Sequence, residues 1–135
     1  MRASRVVLLT AIVANVLGWV LPVIDDYLGY HAFRAALSPL WPFENFAIQP
    51  GLLLVLSVAS ALTNAVFIGL VAALLRGVTP KAVLWVAAGA TLLNLHWPIS
   101  MGDERTDLEL GYFVWVCSFA LLALAAFLEA RAAPR

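Results

Sequence analysis

Residues 51–75 read GLLLVLSVASALTNAVFIGLVAALL, an apolar stretch without a single charged side chain. At about 1.5 Å of rise per residue, a helix of this length reaches about 38 Å, more than the roughly 30 Å hydrocarbon core of a bilayer. Lipid offers no hydrogen-bonding partners, so the backbone of such a stretch has to satisfy its own N–H and C=O groups as a helix. The stretch therefore predicts a transmembrane helix.

Three more runs lack Asp, Glu, Lys and Arg and have a similar length: 6–24, 82–99 and 110–128. The whole chain is 64% hydrophobic and only 12% charged, whereas soluble domains carry about 25% charged residues. We predict one all-α domain over residues 1–135, an integral membrane four-helix bundle. A cleaved signal peptide explains the first of these runs less well than a transmembrane helix does. The run exceeds the usual apolar region of about 7–15 residues, and no small-residue cleavage site follows it.

The charges divide between the two sides of this predicted bundle. One side carries six bases and one acid: Arg2, Arg5, Arg76, Lys81, Arg131, Arg135 and Glu129. The other carries seven acids and two bases: Asp25, Asp26, Glu44, Asp103, Glu104, Asp107, Glu109, Arg34 and Arg105. Because excess Lys and Arg marks the cytoplasmic side, both termini are expected in the cytoplasm. The expected location is the cell membrane, crossed several times, and the inner membrane if the source is a bacterium.

The connections follow from this topology. Gly77 and Pro80 fit the end of the second helix and the start of the third, which predicts a tight cytoplasmic hairpin. The first outer loop is long, from residue 25 to residue 50. Its segment 31–37 has room for about two helical turns, and the prolines that follow prevent longer regular structure.

Most of the aromatic residues fall toward the outer side, more than a symmetric interfacial belt would place there. Aromatic residues with a few charges also make good binding surfaces. The residues predicted to form an outer-face binding surface are His31, Trp41, Glu44, His96, Trp97 and Asp103.

The second helix carries small residues at strict four-residue spacing: Ser57, Ala61, Ala65, Gly69 and Ala73. Small residues let helix backbones approach closely in lipid. We interpret this row as a helix-packing seam inside the bundle, where leucine at Ala65 or Gly69 would lower stability. The alternative is a face for association with a second copy.

Three amides lie inside the apolar runs: Asn15, Asn64 and Asn94. Asn15 and Asn64 fall near the expected bilayer midplane, where an amide facing lipid would be unsatisfied and costly. We expect both to face the interior, and either to bond each other or to share a buried polar partner.

The residues exclude several kinds of chemistry. The spans hold no acid or base of the kind that ion-coupled transporters use, and the single Cys117 cannot form an intrachain disulfide. No phosphate-binding loop and no helical metal motif is present. The net charge of zero gives no reason to expect nucleic acid as a partner. A haem held between His31 and His96, or a metal on the outer acids, is a minor alternative, and we expect no cofactor.

The favoured hypothesis is a non-enzymatic protein. It would bind, stabilise or inhibit another membrane component through its helices and its aromatic outer face. The alternative is a carrier of small molecules or lipids that acts as a homo-oligomer with an amide-lined cavity. An outer-face enzyme that uses the acids and histidines is less favoured. Expected partners are membrane lipids, another membrane protein or a second copy of the chain.

The orientation can be tested by cysteine labelling. Ser38→Cys and Gly102→Cys should react with an impermeant thiol reagent added to intact cells, because both positions lie in predicted outer loops. Gly77→Cys, in the predicted cytoplasmic hairpin, should react only after the cells are opened. The reverse pattern of labelling would contradict both termini being cytoplasmic.

Overall fold

The computed structural model describes residues 3–43 and 51–132, apart from the side chain at position 104. In chain order the elements are α1 (Ala3–Val20), β1 (Pro22–Ile24), β2 (Tyr27–Leu28), α2 (Gly29–Ala36), α3 (Leu52–Leu75), α4 (Pro80–Asn94), α5 (His96–Ser100), a 3-10 helix (Gly102–Asp107) and α6 (Leu110–Ala132). Four helical segments are long and apolar enough to cross a membrane: Ala3–Val20, Leu52–Leu75, Pro80–Ser100 and Leu110–Ala132. The prediction of an all-α chain with four such helices is confirmed.

The last helix, α6, is the centre of the structure. It packs against α1 on one side and α4 on the other, and α3 packs mainly against α4. The side chains of Phe119, Leu122 and Ala125 on α6 are fully buried. The helix α1 buries residues that alternate at spacings of four and three: Ser4, Leu8, Ala11, Asn15 and Gly18. This heptad-like spacing keeps one face of α1 against α6 along its whole length.

Three contacts fix the register between α1 and α6. The Ser4 hydroxyl donates a hydrogen bond to Glu129 over 2.6 Å. The Asn15 amide donates to Ser118 over 3.0 Å, and Gly18 lies against Trp115. As the residue number rises along α1 it falls by the same amount along α6, so the two helices are antiparallel. The ends of α1 and α6 near Ser4 and Glu129 also lie together at one end of the molecule.

We call this end, with Arg5, Arg76, Lys81 and Arg131, the basic end. The opposite end, with β1, β2, α2, α5 and the 3-10 helix, is called the acidic end.

The turn between α3 and α4 forms as the sequence predicts. Gly77 has a φ of +73°, a left-handed conformation that glycine adopts without strain. The Val78 amide donates to the carbonyl of Ala73 over 3.0 Å, which closes the end of α3. Pro80 then occupies the first turn of α4, where its missing N–H costs nothing.

The first predicted span, 6–24, is wrong at its end, because α1 stops at Val20 and a two-stranded hairpin follows. Pro22 lacks the N–H that a continuing helix needs. The hairpin turns at Asp25 and Asp26, which both have positive φ (44° and 65°), as two-residue hairpin turns require. The helix predicted in segment 31–37 is present as α2, Gly29–Ala36. The third span is divided at Leu95 into α4 and α5.

The hairpin is fastened to the start of α6. The Glu109 amide donates to the Val23 carbonyl over 2.9 Å, and Ile24 pairs with Leu108. At the start of α2, Gly29 donates to the Leu21 carbonyl over 3.1 Å. The chain segments at the acidic end therefore form one connected cap over the helix ends.

The predicted seam on α3 needs correction. Ser57 and Ala61 are buried, whereas Ala65 and Gly69 are exposed and Ala73 is only half-buried. A Cβ at Gly69 would meet nothing within 4 Å. The reason is geometric. At 3.6 residues per turn, each step of four residues advances about 40° past a full turn, so four steps carry the row about 160° around the helix. Within one copy of the chain, only the half of the row near the acidic end lies against a neighbouring helix.

Two glycines allow backbone contacts that a methyl group would block. A Cβ at Gly111 would overlap the Pro22 carbonyl oxygen, and a Cβ at Gly29 would overlap the Gly18 carbonyl oxygen. Gly29→Ala and Gly111→Ala should each lower the free energy of unfolding by about 1–3 kcal/mol, because backbone atoms cannot yield as a flexible side chain would. The free energy of unfolding of each variant is measured by denaturation with sodium dodecyl sulfate in mixed micelles.

The matched control is Gly69→Ala, which should leave stability unchanged or raise it by about 0.5–1 kcal/mol. Equal stability of all three variants would contradict the close contacts at Gly29 and Gly111.

Candidate functional site

The acidic end holds a partly open cavity of about 180 Å³. Its walls come from the end of α1, the hairpin, α2, α3, α5 and the start of α6. Six aromatic residues of the described part of the chain line it: Trp19, Tyr27, Phe33, Trp97, Tyr112 and Trp115. Trp19 and Phe33 form a tilted pair with ring centroids 5.1 Å apart, and Tyr112 and Trp115 form a second pair at 6.4 Å. The cavity is therefore shaped by aromatic side chains from five separate elements: α1, β2, α2, α5 and α6.

The polar wall of the cavity belongs to α3. The Trp115 indole donates to the Asn64 side-chain oxygen over 2.9 Å, and the Trp97 indole donates to the Ser60 hydroxyl over 3.1 Å. Both indole N–H groups are thus satisfied inside the protein. The surface that these two tryptophans present to the cavity is hydrocarbon, because their only polar atoms are already bonded.

Asn94 is the centre of a buried network behind this wall. Its side-chain oxygen accepts a hydrogen bond from Ser60 over 2.8 Å, and its amide donates to the Thr63 hydroxyl over 3.1 Å. Its backbone carbonyl accepts a bond from the Tyr112 hydroxyl over 2.8 Å. Asn94 is fully buried and ties α3, α4 and α6 together.

The other two amides also face the interior, and both are buried. The sequence predicted that they either bond each other or share a buried polar partner, whereas in the structure each amide has its own partner on α6. Asn15 bonds Ser118, and Asn64 bonds Trp115 and the Ala61 carbonyl. Ser118 in turn donates to the Trp115 carbonyl over 2.6 Å. The two amides are therefore connected through α6. Of the three predicted amides, only Asn64 lines the cavity.

The structure places the predicted outer-face residues in separate parts of the molecule. His31 lies among aromatic rings, with its centroid 3.8 Å from that of Tyr30 and 6.4 Å from that of Phe43. Trp41 is 62% exposed and carries the Arg34 guanidinium 3.4 Å above its ring centre. We call this group, Tyr30, His31, Arg34, Trp41 and Phe43, the outer aromatic cluster.

The other predicted outer-face residues lie elsewhere. Trp97 lines the cavity, and Asp103 lies in the 3-10 helix. Glu44 lies outside the described residues. The Nδ1 of His96 lies 2.8 Å from the Leu93 carbonyl oxygen and must donate to it, since a carbonyl only accepts. Its Nε2 is buried and has no partner among the described residues. In residues 3–43 and 51–132, leaving aside the side chain at position 104, no three His, Cys, Asp or Glu side chains group as metal ligands.

Sequence reasoning did not identify the cavity itself. The aromatic excess on the outer side was the signal for it, but that excess could not separate rings that line a cavity from rings that lie on the surface. Trp19, Phe33 and Trp115 line the cavity, whereas Tyr30 and Trp41 lie on the exposed surface.

No known protein family, curated protein or solved structure matches this chain. Its site therefore has to be interpreted from the chemistry of its own residues.

The unequal roles of the amides give a stability test. Asn15→Leu should cost about 0.6 kcal/mol, the average for a hydrogen bond between helices in a membrane, because Ser118 keeps its bond to Trp115. Asn94→Leu should cost about 1–3 kcal/mol, because it removes two buried side-chain bonds and leaves the Ser60 hydroxyl hydrogen without its acceptor, although Thr63 keeps its bond to the Ser60 carbonyl. Unfolding in mixed micelles compares the two variants. A larger cost at Asn15 would contradict the central position of Asn94.

Proposed function

We propose that this chain is a non-enzymatic multi-pass protein of the cell membrane, with both termini in the cytoplasm, that binds an apolar group of a membrane-soluble ligand in the acidic-end cavity. The split of charge between its two ends supports this orientation, because cytoplasmic loops carry excess Lys and Arg. The acidic end then lies on the outer side of the membrane, which is the inner membrane if the source is a bacterium. The cavity is the observation that carries the proposal.

The size of the cavity indicates how much of a ligand it holds. An engineered protein cavity of about 150 Å³ with an apolar lining binds benzene, and this one has about 180 Å³. Sites for whole drug-sized molecules are larger, at about 300–1,000 Å³. The cavity therefore suits one segment of a longer molecule, such as part of an alkyl chain.

The lining favours apolar recognition. The indole N–H groups of Trp97 and Trp115 already have partners on α3, so these rings offer a ligand contact area and few hydrogen bonds. Burying an apolar segment contributes about 25 cal/mol per Å² only if the segment leaves water. A ligand already dissolved in lipid gains less from burial, and its affinity has to come mainly from shape and aromatic contact.

We propose that a ligand enters the cavity between α1 and α3. These two helices make at most slight contact along their described lengths, and α2 packs against both of them at the acidic end. In a bilayer, a chain would enter through this gap from the lipid phase. The remainder of the ligand would stay in the gap below α2.

A second candidate function has its own observation. The outer aromatic cluster presents Trp41 at 62% exposure beside Leu40 at 70%, and the half-buried Arg34 guanidinium lies over the Trp41 ring. Trp, Tyr and Arg dominate the residues that carry binding energy in protein interfaces. This surface would serve the inhibitory or accessory role, in which the chain recognises another membrane protein.

Photolabelling tests the cavity proposal. A long-chain alcohol with a diazirine on its chain is added to the purified protein in maltoside micelles, and the adducts are mapped by mass spectrometry. We expect adducts on cavity residues such as Phe33 and Trp115. Ala61→Phe should reduce them strongly, because Ala61 is buried and lines the cavity.

Ala65→Phe is the matched control, since Ala65 lies one turn further along α3 and is exposed. Its adducts should match those of the unmodified protein, with helix content confirming that both variants fold. Labelling confined to exposed helix faces, or equal labelling in both variants, would contradict the cavity as a ligand site.

A further inference from the structure

We propose that the cavity selects amphiphiles that carry an ammonium group, with the cationic head at the rim beside Asp25 and the apolar chain inside. This inference rests on the proposed binding function and adds the chemical class of the ligand. It follows from three features of the site: the charge of its lining, the aromatic character of its walls and the charge of the surface around it.

Among the described residues, the lining carries one formal charge, and it is negative. Asp25 is the only charged residue among the described residues that line the cavity. It is exposed and lies in the hairpin turn at the acidic end, which places this residue at the rim of the cavity rather than in its depth. A cation held at the rim would be paired, whereas an anion there would face a like charge.

The one base on α2, Arg34, contacts the outer aromatic cluster and not the cavity lining. The cavity face of α2 consists of small and apolar residues that include Ala32, Phe33 and Ala36. Arg34 is not among the lining residues, and its guanidinium lies over the Trp41 ring at 3.4 Å. An anionic head group therefore finds no base in the described lining to bind it.

The aromatic walls add to this preference. The faces of Trp, Tyr and Phe rings carry negative electrostatic potential, and cages of such rings recognise quaternary ammonium groups. Tyr27 follows the hairpin turn directly and lines the cavity together with Trp19. A trimethylammonium group is also weakly hydrated compared with a primary ammonium, so moving it from water to an aromatic rim costs less.

The surrounding surface has the same sign. In the sequence the outer segments hold seven acids and two bases. A cleft lined by charge of one sign raises the local concentration of ligands with the opposite sign. The field of the acidic end and the single carboxylate at the rim therefore favour the same class of ligand.

The orientation of such a ligand matches that of a lipid in the outer leaflet. Its head would lie at the acidic end, its upper chain in the cavity, and its lower chain in the gap between α1 and α3. The volume of about 180 Å³ holds only the upper part of the chain. The chemistry is shared by zwitterionic lipids and by simple alkylammonium compounds.

Competition against the photoreactive alcohol tests the inference. The competitors are decanol, decyltrimethylammonium and decyl sulfate, each at low mole fraction in maltoside micelles, which themselves carry no charge. We expect decyltrimethylammonium to displace the probe at about one tenth of the decanol concentration, and decyl sulfate to be weaker than decanol. Lysophosphatidylcholine, as a fourth competitor, shows whether the head group of a zwitterionic lipid is accepted as well as the simple ammonium. The selection of ammonium amphiphiles is supported if either decyltrimethylammonium or lysophosphatidylcholine displaces the probe at a lower concentration than decanol.

Asp25→Asn removes the charge and keeps the turn, because Asn tolerates positive φ at least as well as Asp. It should abolish the tenfold advantage of the ammonium compound and leave displacement by decanol unchanged. Asp26→Asn is the matched control, since it removes the same charge from the same turn at a residue outside the cavity lining. It should retain most of the advantage.

The failures of the two proposals are distinguishable. No advantage over decanol for either ammonium compound, stronger displacement by decyl sulfate, or an equal effect of both Asn variants would overturn the selection of ammonium. Cavity labelling by the alcohol would then still support the binding function. If no probe labels the cavity at all, both the binding function and its selectivity are overturned.

Discussion

The contact between α1 and α6 is the interaction on which the other parts of this structure depend. It is made almost entirely of small or polar side chains on α1, which allow the two helices to approach closely. Gly18 shows how close they come, because a Cβ there would lie 2.6 Å from the Cβ of Trp115. In lipid, helices associate through such packing and through hydrogen bonds, since burial of apolar surface offers no advantage over lipid contact. The bonds Ser4–Glu129 and Asn15–Ser118 hold the register at two depths.

This register places the chain segments at the acidic end. Once Gly18 lies against Trp115, the end of α1 is beside the start of α6, and the chain between Leu21 and Gly29 has to fold back over that junction. The hairpin does so, and it bonds to residue 109 ahead of α6. Because Gly29 and Gly111 have no Cβ, the start of α2 lies against the backbone of Gly18 and the start of α6 lies against the backbone of Pro22. The loop that follows α1 is therefore part of the packed structure and forms one wall of the cavity.

The cavity exists because the polar atoms of its walls bond to each other and not across it. The indoles of Trp97 and Trp115 are held by Ser60 and Asn64 on α3, and this keeps both rings against that helix. Nearer the basic end, Phe67 on α3 contacts Phe119 on α6 with ring centroids 5.2 Å apart. These anchors fix how far α3 lies from α6 at two levels. With α1 and α3 hardly in contact, the space between the anchored rings and α2 stays open.

The sequence by itself determined the properties that depend on composition and on near neighbours along the chain. These are four apolar helices, the turn at Gly77 and Pro80, the short helix α2, and the division of charge between two ends. Only the tertiary structure decided which face of each helix is buried. In a helix that is apolar on all sides, the hydrophobic pattern does not show which face is buried. The row of small residues on α3 therefore predicted a longer seam than the helix twist allows. The partners of Asn15 and Asn64 lie on α6, more than 50 positions away, and no local pattern specifies them. The cavity likewise depends on rings from α1, α2, α5 and α6 that become neighbours only when the helices pack.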